Sequence, residues 1–211
     1  TIHVKNVGRR PFRVSRLNPL FVGPIHHTGA VRLTTDNVPL TFFSNGWQSW
    51  SYAGTLAATQ KQPYTNLGIF QTPVNHNSQT PLSDKRGQFS SDMFGVMSAP
   101  SQRNAIVAGF ISQREQFGSL DVATDSMNPA MRLRAQCDEV LLMPNAELIT
   151  DPAYVQLIAD YDEDPLREYS EAVARHNNAR VPASTFVGWC SWYHYFDKVS
   201  EEDVRRNLDQ I

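Results

Sequence analysis

Up to about Ala159 the apolar residues come in short runs with a period near two, and beyond it they recur with helical spacing. "IHVKNVG" alternates Ile2, Val4 and Val7 imperfectly, "FRVSRL" sets Phe12, Val14 and Leu17 against polar or basic partners, and "AVRLTT" follows with Val31 and Leu33. The later runs "AIVAGFIS", "SLDVAT", "AMRLRAQ" and "EVLLMP" are short and separated by turn-rich pieces. Such spacing predicts an antiparallel β-sandwich. Between Tyr52 and Ser91 the pattern is weak and the composition rich in Gln, Asn, Thr, Ser and Pro, which predicts long ordered loops over a sheet face.

The period then changes. "DEDPLREYSEAVARHNN" places Asp164 as N-cap and Pro165 at the first helical position, carries Leu166, Tyr169 and Val173 on one face, and closes on Asn177 and Asn178. Pro182 stops the next stretch by forcing Val181 into an extended conformation. "TFVGWCSWYHYF" reads as a buried strand running into an aromatic loop. "VSEEDVRRNLDQI" reads as a helix with Ser200 as N-cap, acids in the first turn, and Val204, Leu208 and Ile211 spaced for a buried stripe. A strand and helix after a long β region predict a mostly β domain over 1–160, a helical linker over 161–182, and over 183–211 the first β/α unit of a second, α/β domain.

Composition narrows the function classes. A formal net charge of −2 with no basic cluster argues against a nucleic-acid partner. No apolar run approaches the roughly 18 residues of a spanning helix, so no membrane partner is expected. Cys137 and Cys190 lack a companion pattern, which points to free, buried thiols and leans towards a reducing, cytoplasmic interior. The chain begins at Thr1 without a basic, apolar leader.

Two segments stand out chemically. "SNGWQSWSY" sets Trp47 and Trp50 three residues apart in a setting unsuited to a helix: Asn45-Gly46 is a turn signal, and Ser44, Ser49 and Ser51 favour local backbone bonds. A loop is predicted, and indoles on a polar loop suit either a binding surface or packing. "GWCSWYHYF" repeats the spacing with Trp189 and Trp192, at the carboxyl end of the predicted strand. Thiol chemistry at Cys190 with Ser191, His194 and Asp197 is disfavoured, because strand neighbours point to opposite faces. His26, His27 and His194 lack accompanying carboxylate spacing, so no metal or other cofactor is expected.

"NGWQSW", "SSDMF" (Ser90 to Phe94), "NNARVP" and "GWCSWYHYF", in that order and approximate spacing, resemble the microbial α-galactosidases of glycoside hydrolase family 36. The resemblance covers about Phe42 to Ile211. It implies an N-terminal β-supersandwich packed against a (β/α)8 catalytic barrel, in a retaining glycosidase that removes terminal α-linked galactose from galacto-oligosaccharides. It further implies that Trp50 reaches from the sandwich into the galactose pocket, that Trp192 and Tyr193 contribute from the first barrel strand, and that the full-length enzyme is a homo-oligomer. Trp47 and Trp189 would then be the packed partners of those rings.

Retaining hydrolysis needs a carboxylate nucleophile and a second carboxyl as acid and base, about 5–5.5 Å apart. The resemblance puts both on later barrel strands, beyond Ile211, so residues 1–211 by themselves are expected to be inactive and to hold no catalytic residue. The acids present read otherwise: Asp160 to Asp164 as linker and cap, Asp197 as loop, Glu201, Glu202 and Asp203 as a helix first turn, Asp84 and Asp92 as loop residues open to sugar hydrogen bonding. Related activities on the same scaffold are α-N-acetylgalactosaminidase and galactosyl transfer. A different class is a non-catalytic galactose-binding sandwich.

Overall fold

The computed structural model describes all residues except 24–28, 35–37, 64–79, 81, 125–127, 162–163, 186–187 and 211. His26, His27 and Ile211 therefore lie outside the described residues, as does part of the predicted "TFVGW" strand. The chain forms two compact units, residues 1–179 and 180–211. It is mostly β, with antiparallel sheets.

Eleven strands are described, all in the first unit: β1 (His3–Lys5), β2 (Phe12–Val22), β3 (Thr41–Ser44), β4 (Gly54–Ala57), β5 (Gln88–Asp92), β6 (Phe94–Ala99), β7 (Asn104–Phe110), β8 (Phe117–Ala123), β9 (Ala130–Leu142), β10 (Glu147–Ile149) and β11 (Ala153–Ile158). They make a five-stranded sheet in the order β11-β7-β6-β3-β4, a four-stranded sheet in the order β2-β9-β8-β5, and the small β1-β10 pair. One apolar core joins the two larger sheets. Phe42, Leu56, Met97, Ile106 and Phe110 of the first interlock with Phe89, Leu120, Met131 and Leu133 of the second, and the Phe42 and Phe89 rings stack 6.0 Å apart.

The two sheets read differently in sequence because their outer faces differ. The five-stranded sheet is covered on both sides: helix α1 (Arg167–His176) lays Tyr169, Leu166 and Val173 over Val96, Ala105 and Val107. A strand buried on both faces cannot alternate, hence the continuous "AIVAGF" of β7. The four-stranded sheet buries apolar residues on its inner face and carries mainly polar ones on its outer face, so β8 and β9 alternate clearly.

Four expectations change. "AMRLRAQ" and "EVLLMP" are one strand, β9, because the intervening turn signal is absorbed by a bulge: Cys137, Asp138 and Glu139 stand opposite Ser15, the latter two in left-handed conformations. "AVRLTT" is irregular, although Val31 and Leu33 are buried in the core. The helix expected within a linker is docked on the sheet, and the unit boundary falls after Ala179. Asp164, expected as the N-cap, lies ahead of it: the N-cap of α1 is Leu166, without a side-chain cap bond, and Asp164 Oδ1 accepts the Leu166 N–H at 2.9 Å in the turn before the helix.

The loop after β7 is closed by a buried carboxylate. Asp151 accepts hydrogen bonds from the Ser112 hydroxyl and from the N–H groups of Arg114, Glu115 and Gln116. Gln116 returns the contact by accepting the Asp151 N–H at 3.0 Å.

In the second unit, α2 (Trp192–Tyr195) is a single turn and α3 (Glu201–Leu208) begins with Ser200 and Asp203 in a reciprocal capping box. No strand is present among its described residues. The stripe expected on α3 is not buried: Leu208 is 63% exposed. Cys190 is also exposed, against the buried thiol expected, while Cys137 is buried.

Candidate functional site

Residues 45–53 form the loop of the β3–β4 hairpin, whose last paired residues are Ser44 and Gly54. The loop is tied at its base to β5. The Asn45 N–H donates to Ser91 Oγ at 2.7 Å, the Asn45 side-chain amide donates to the Asp92 carbonyl at 3.0 Å, and the Asp92 N–H donates to the Asn45 carbonyl at 2.9 Å. The Ser44 hydroxyl adds a bond to the Ser90 carbonyl. "NGWQSW" and "SSD", far apart in sequence, are thus one hydrogen-bonded feature.

Gln62 closes the network from a third segment. Its amide nitrogen donates to the Ser90 carbonyl at 2.5 Å and its carbonyl accepts the Ser90 N–H at 2.6 Å. Asp92, read from the sequence as a loop residue, ends β5 and is buried, with Thr80 donating to its Oδ1 at 2.7 Å. Gly46 sits where no side chain fits: a Cβ there would stand 2.3 Å from that of Ser51 and 2.8 Å from the Tyr52 carbonyl. The loop is therefore fixed by sterics on one side and by hydrogen bonds on the other.

On this base Trp50 is 51% exposed, and its backbone N–H donates to Gln48 Oε1 at 2.9 Å. Trp47, expected as a packed partner, makes a ring contact and stays half-exposed. It meets the half-exposed Phe117 edge-on, with ring centroids 6.5 Å apart, and is itself 44% exposed.

In the second unit, Trp192 and Tyr193 open α2, the first 51% and the second 96% exposed. Trp192 packs on Phe196 at 4.5 Å and Trp189 meets Tyr195 edge-on at 6.0 Å. Phe196, at φ 53° and ψ −118°, ends the turn with a positive φ. The acids of this unit are mostly engaged locally: Glu201 pairs with Arg205, and Asp203 with Ser200 and Arg206. The Ser200 hydroxyl and N–H hold the Asp203 carboxyl below its ordinary range.

Sequence reading missed a polar row on the outer face of the four-stranded sheet. Arg132 and Arg134 of β9 both bond to Asp121 of β8, and Ser119 and Arg134 are buried beside them. The signal was present in "AMRLRAQ", where Arg132 and Arg134 alternate with the apolar Met131, Leu133 and Ala135. Among the described residues no cluster of three metal-ligating side chains occurs. None of their helices is long and apolar enough to cross a membrane. No protein-family model matches the chain, and no solved structure is significantly similar to it.

Proposed function

We propose that residues 1–211 are the N-terminal part of a retaining α-galactosidase, a β-supersandwich followed by the first β/α unit of a (β/α)8 barrel. The four motifs that resemble family 36 carry the assignment. One observation supports it most: the Trp50 ring is held out to solvent on a loop whose base is bonded to "SSD", so two of the motifs serve a single structural purpose. A rigid indole covers the C–H face of a galactose ring without demanding hydrogen bonds, while polar neighbours read the hydroxyls. Trp192 and Tyr193 take the corresponding role in the second unit. The catalytic carboxylates are assigned to barrel strands outside residues 1–211.

Hydrolysis of a chromogenic α-galactoside tests this. The full-length polypeptide should turn it over with retention, and residues 1–211 alone should not. Absence of turnover by the full-length polypeptide contradicts the assignment. A galactose-binding module is the second reading, favoured by the exposure of Trp47, Trp50 and Phe117 within the first unit itself. It requires galactose to quench the tryptophan fluorescence of residues 1–211 in a saturable way, whereas the enzyme reading requires little affinity from that piece.

A further inference from the structure

The outer face of the four-stranded sheet carries a groove of about 570 Å³, within the roughly 300–1,000 Å³ of small-molecule pockets. The strand register lines up Phe21, Arg132, Asp121 and Ser90 as direct cross-strand neighbours along its floor. Leu82 and Lys85 form a wall. None of these residues belongs to the Trp50 loop.

The donor and acceptor inventory selects the ligand. Asp121 Oδ2 accepts from Arg132 Nε at 3.2 Å, from Arg132 Nη2 at 2.9 Å and from Arg134 Nη2, while Oδ1 accepts from the Ser90 hydroxyl at 3.0 Å. The carboxylate is saturated, and the Gln88 carbonyl already accepts from Ser83. Among its described side chains the groove still offers donors: the remaining N–H groups of the partly exposed Arg132, and the Lys85 ammonium. Among the described residues, Arg132 and Lys85 of the lining and the adjoining Arg134 outnumber the single carboxylate and leave a positive excess. Asp84, next to Lys85, is exposed and does not line the groove.

A neutral sugar needs acceptors as well as donors and would leave this charge unanswered, whereas an oxyanion answers both demands. The half-exposed Phe21 ring, with Leu82 and Ala130, supplies an apolar bed for a ring beside the anion. We infer that this groove binds a phosphate or carboxylate borne on a ring-sized body, such as a sugar phosphate or a uronate. The inference is independent of the galactosidase assignment.

Calorimetric titration of the chain with glucose 6-phosphate, glucuronate, glucose and inorganic phosphate tests it. Glucose 6-phosphate or glucuronate should bind saturably, the tighter of the two identifying the anion, with inorganic phosphate weaker and glucose silent. Lys85→Glu and Arg132→Gln should each weaken binding by about tenfold, as loss of a charge-assisted bond does. Lys85 is exposed and outside any ion pair among the described residues, so its variant should unfold at the parent midpoint. No saturable binding of either organic anion, glucose binding as tightly, inorganic phosphate binding as tightly, or unchanged affinity in Lys85→Glu would each overturn the inference.

Discussion

Single residues fix the geometry of the Trp50 loop and of its distant counterpart at Asp151. Because the space at Gly46 is filled by Ser51 and the Tyr52 carbonyl, Gly46→Ala should cost about 1–3 kcal/mol by overpacking. Urea unfolding measures this, and an unchanged midpoint would contradict the close approach. Burial alone would raise the Asp151 carboxyl, but the hydrogen bonds from Ser112 and from the Glu115, Gln116 and Arg114 N–H groups outweigh it and hold the group below the ordinary carboxylate range. Its stabilising effect is therefore complete above the unfolded-state value near 3.9 and is lost as pH falls below it towards the folded-state value. Asp151→Asn should lower stability by about 2–3 kcal/mol at pH 7 and narrow its gap to the parent near pH 3. A gap independent of pH would rule the ionised clasp out. The sequence announces the turn at Asn45-Gly46 but not the Asp151 clasp, whose donors are backbone N–H groups gathered by folding.

At the scale of elements, legibility follows solvent. Strands β8 and β9 alternate because one face is apolar and the other polar, and helix α1 shows Leu166, Tyr169 and Val173 at the spacing with which they dock. Strands β3 and β4 escaped notice because four residues carry too little pattern, and their pairing is enforced by the loop and by β6. The β9 bulge likewise masqueraded as a turn. Tyr169 is the pin of α1: it is buried against Phe94 at 4.8 Å and its hydroxyl donates to the Phe110 carbonyl at 2.7 Å, with burial pushing that hydroxyl far above its ordinary range. Tyr169→Ala should cost about 3–5 kcal/mol and Tyr169→Phe about 1–2 kcal/mol. Equal costs in thermal unfolding would assign the whole effect to the hydroxyl and none to the ring.

For the whole molecule, the two units differ in what they cover. The first buries a core between its sheets and beneath α1, with Trp47, Trp50, Phe117 and Leu157 left exposed. The second leaves Trp192, Tyr193, Phe196 and Leu208 largely exposed. The candidate site was legible as two tryptophan pairs; the bonding of the first pair's loop to Ser90–Asp92 was not, because a long excursion separates the two segments in sequence. Sugar recognition by Trp50 is most directly tested by the kcat/KM of the full-length Trp50→Ala variant on a chromogenic α-galactoside. A loss of about tenfold to a hundredfold at an unchanged unfolding midpoint is expected from removal of a stacking indole. A kcat/KM equal to that of the parent would contradict the assignment of Trp50 to the galactose pocket.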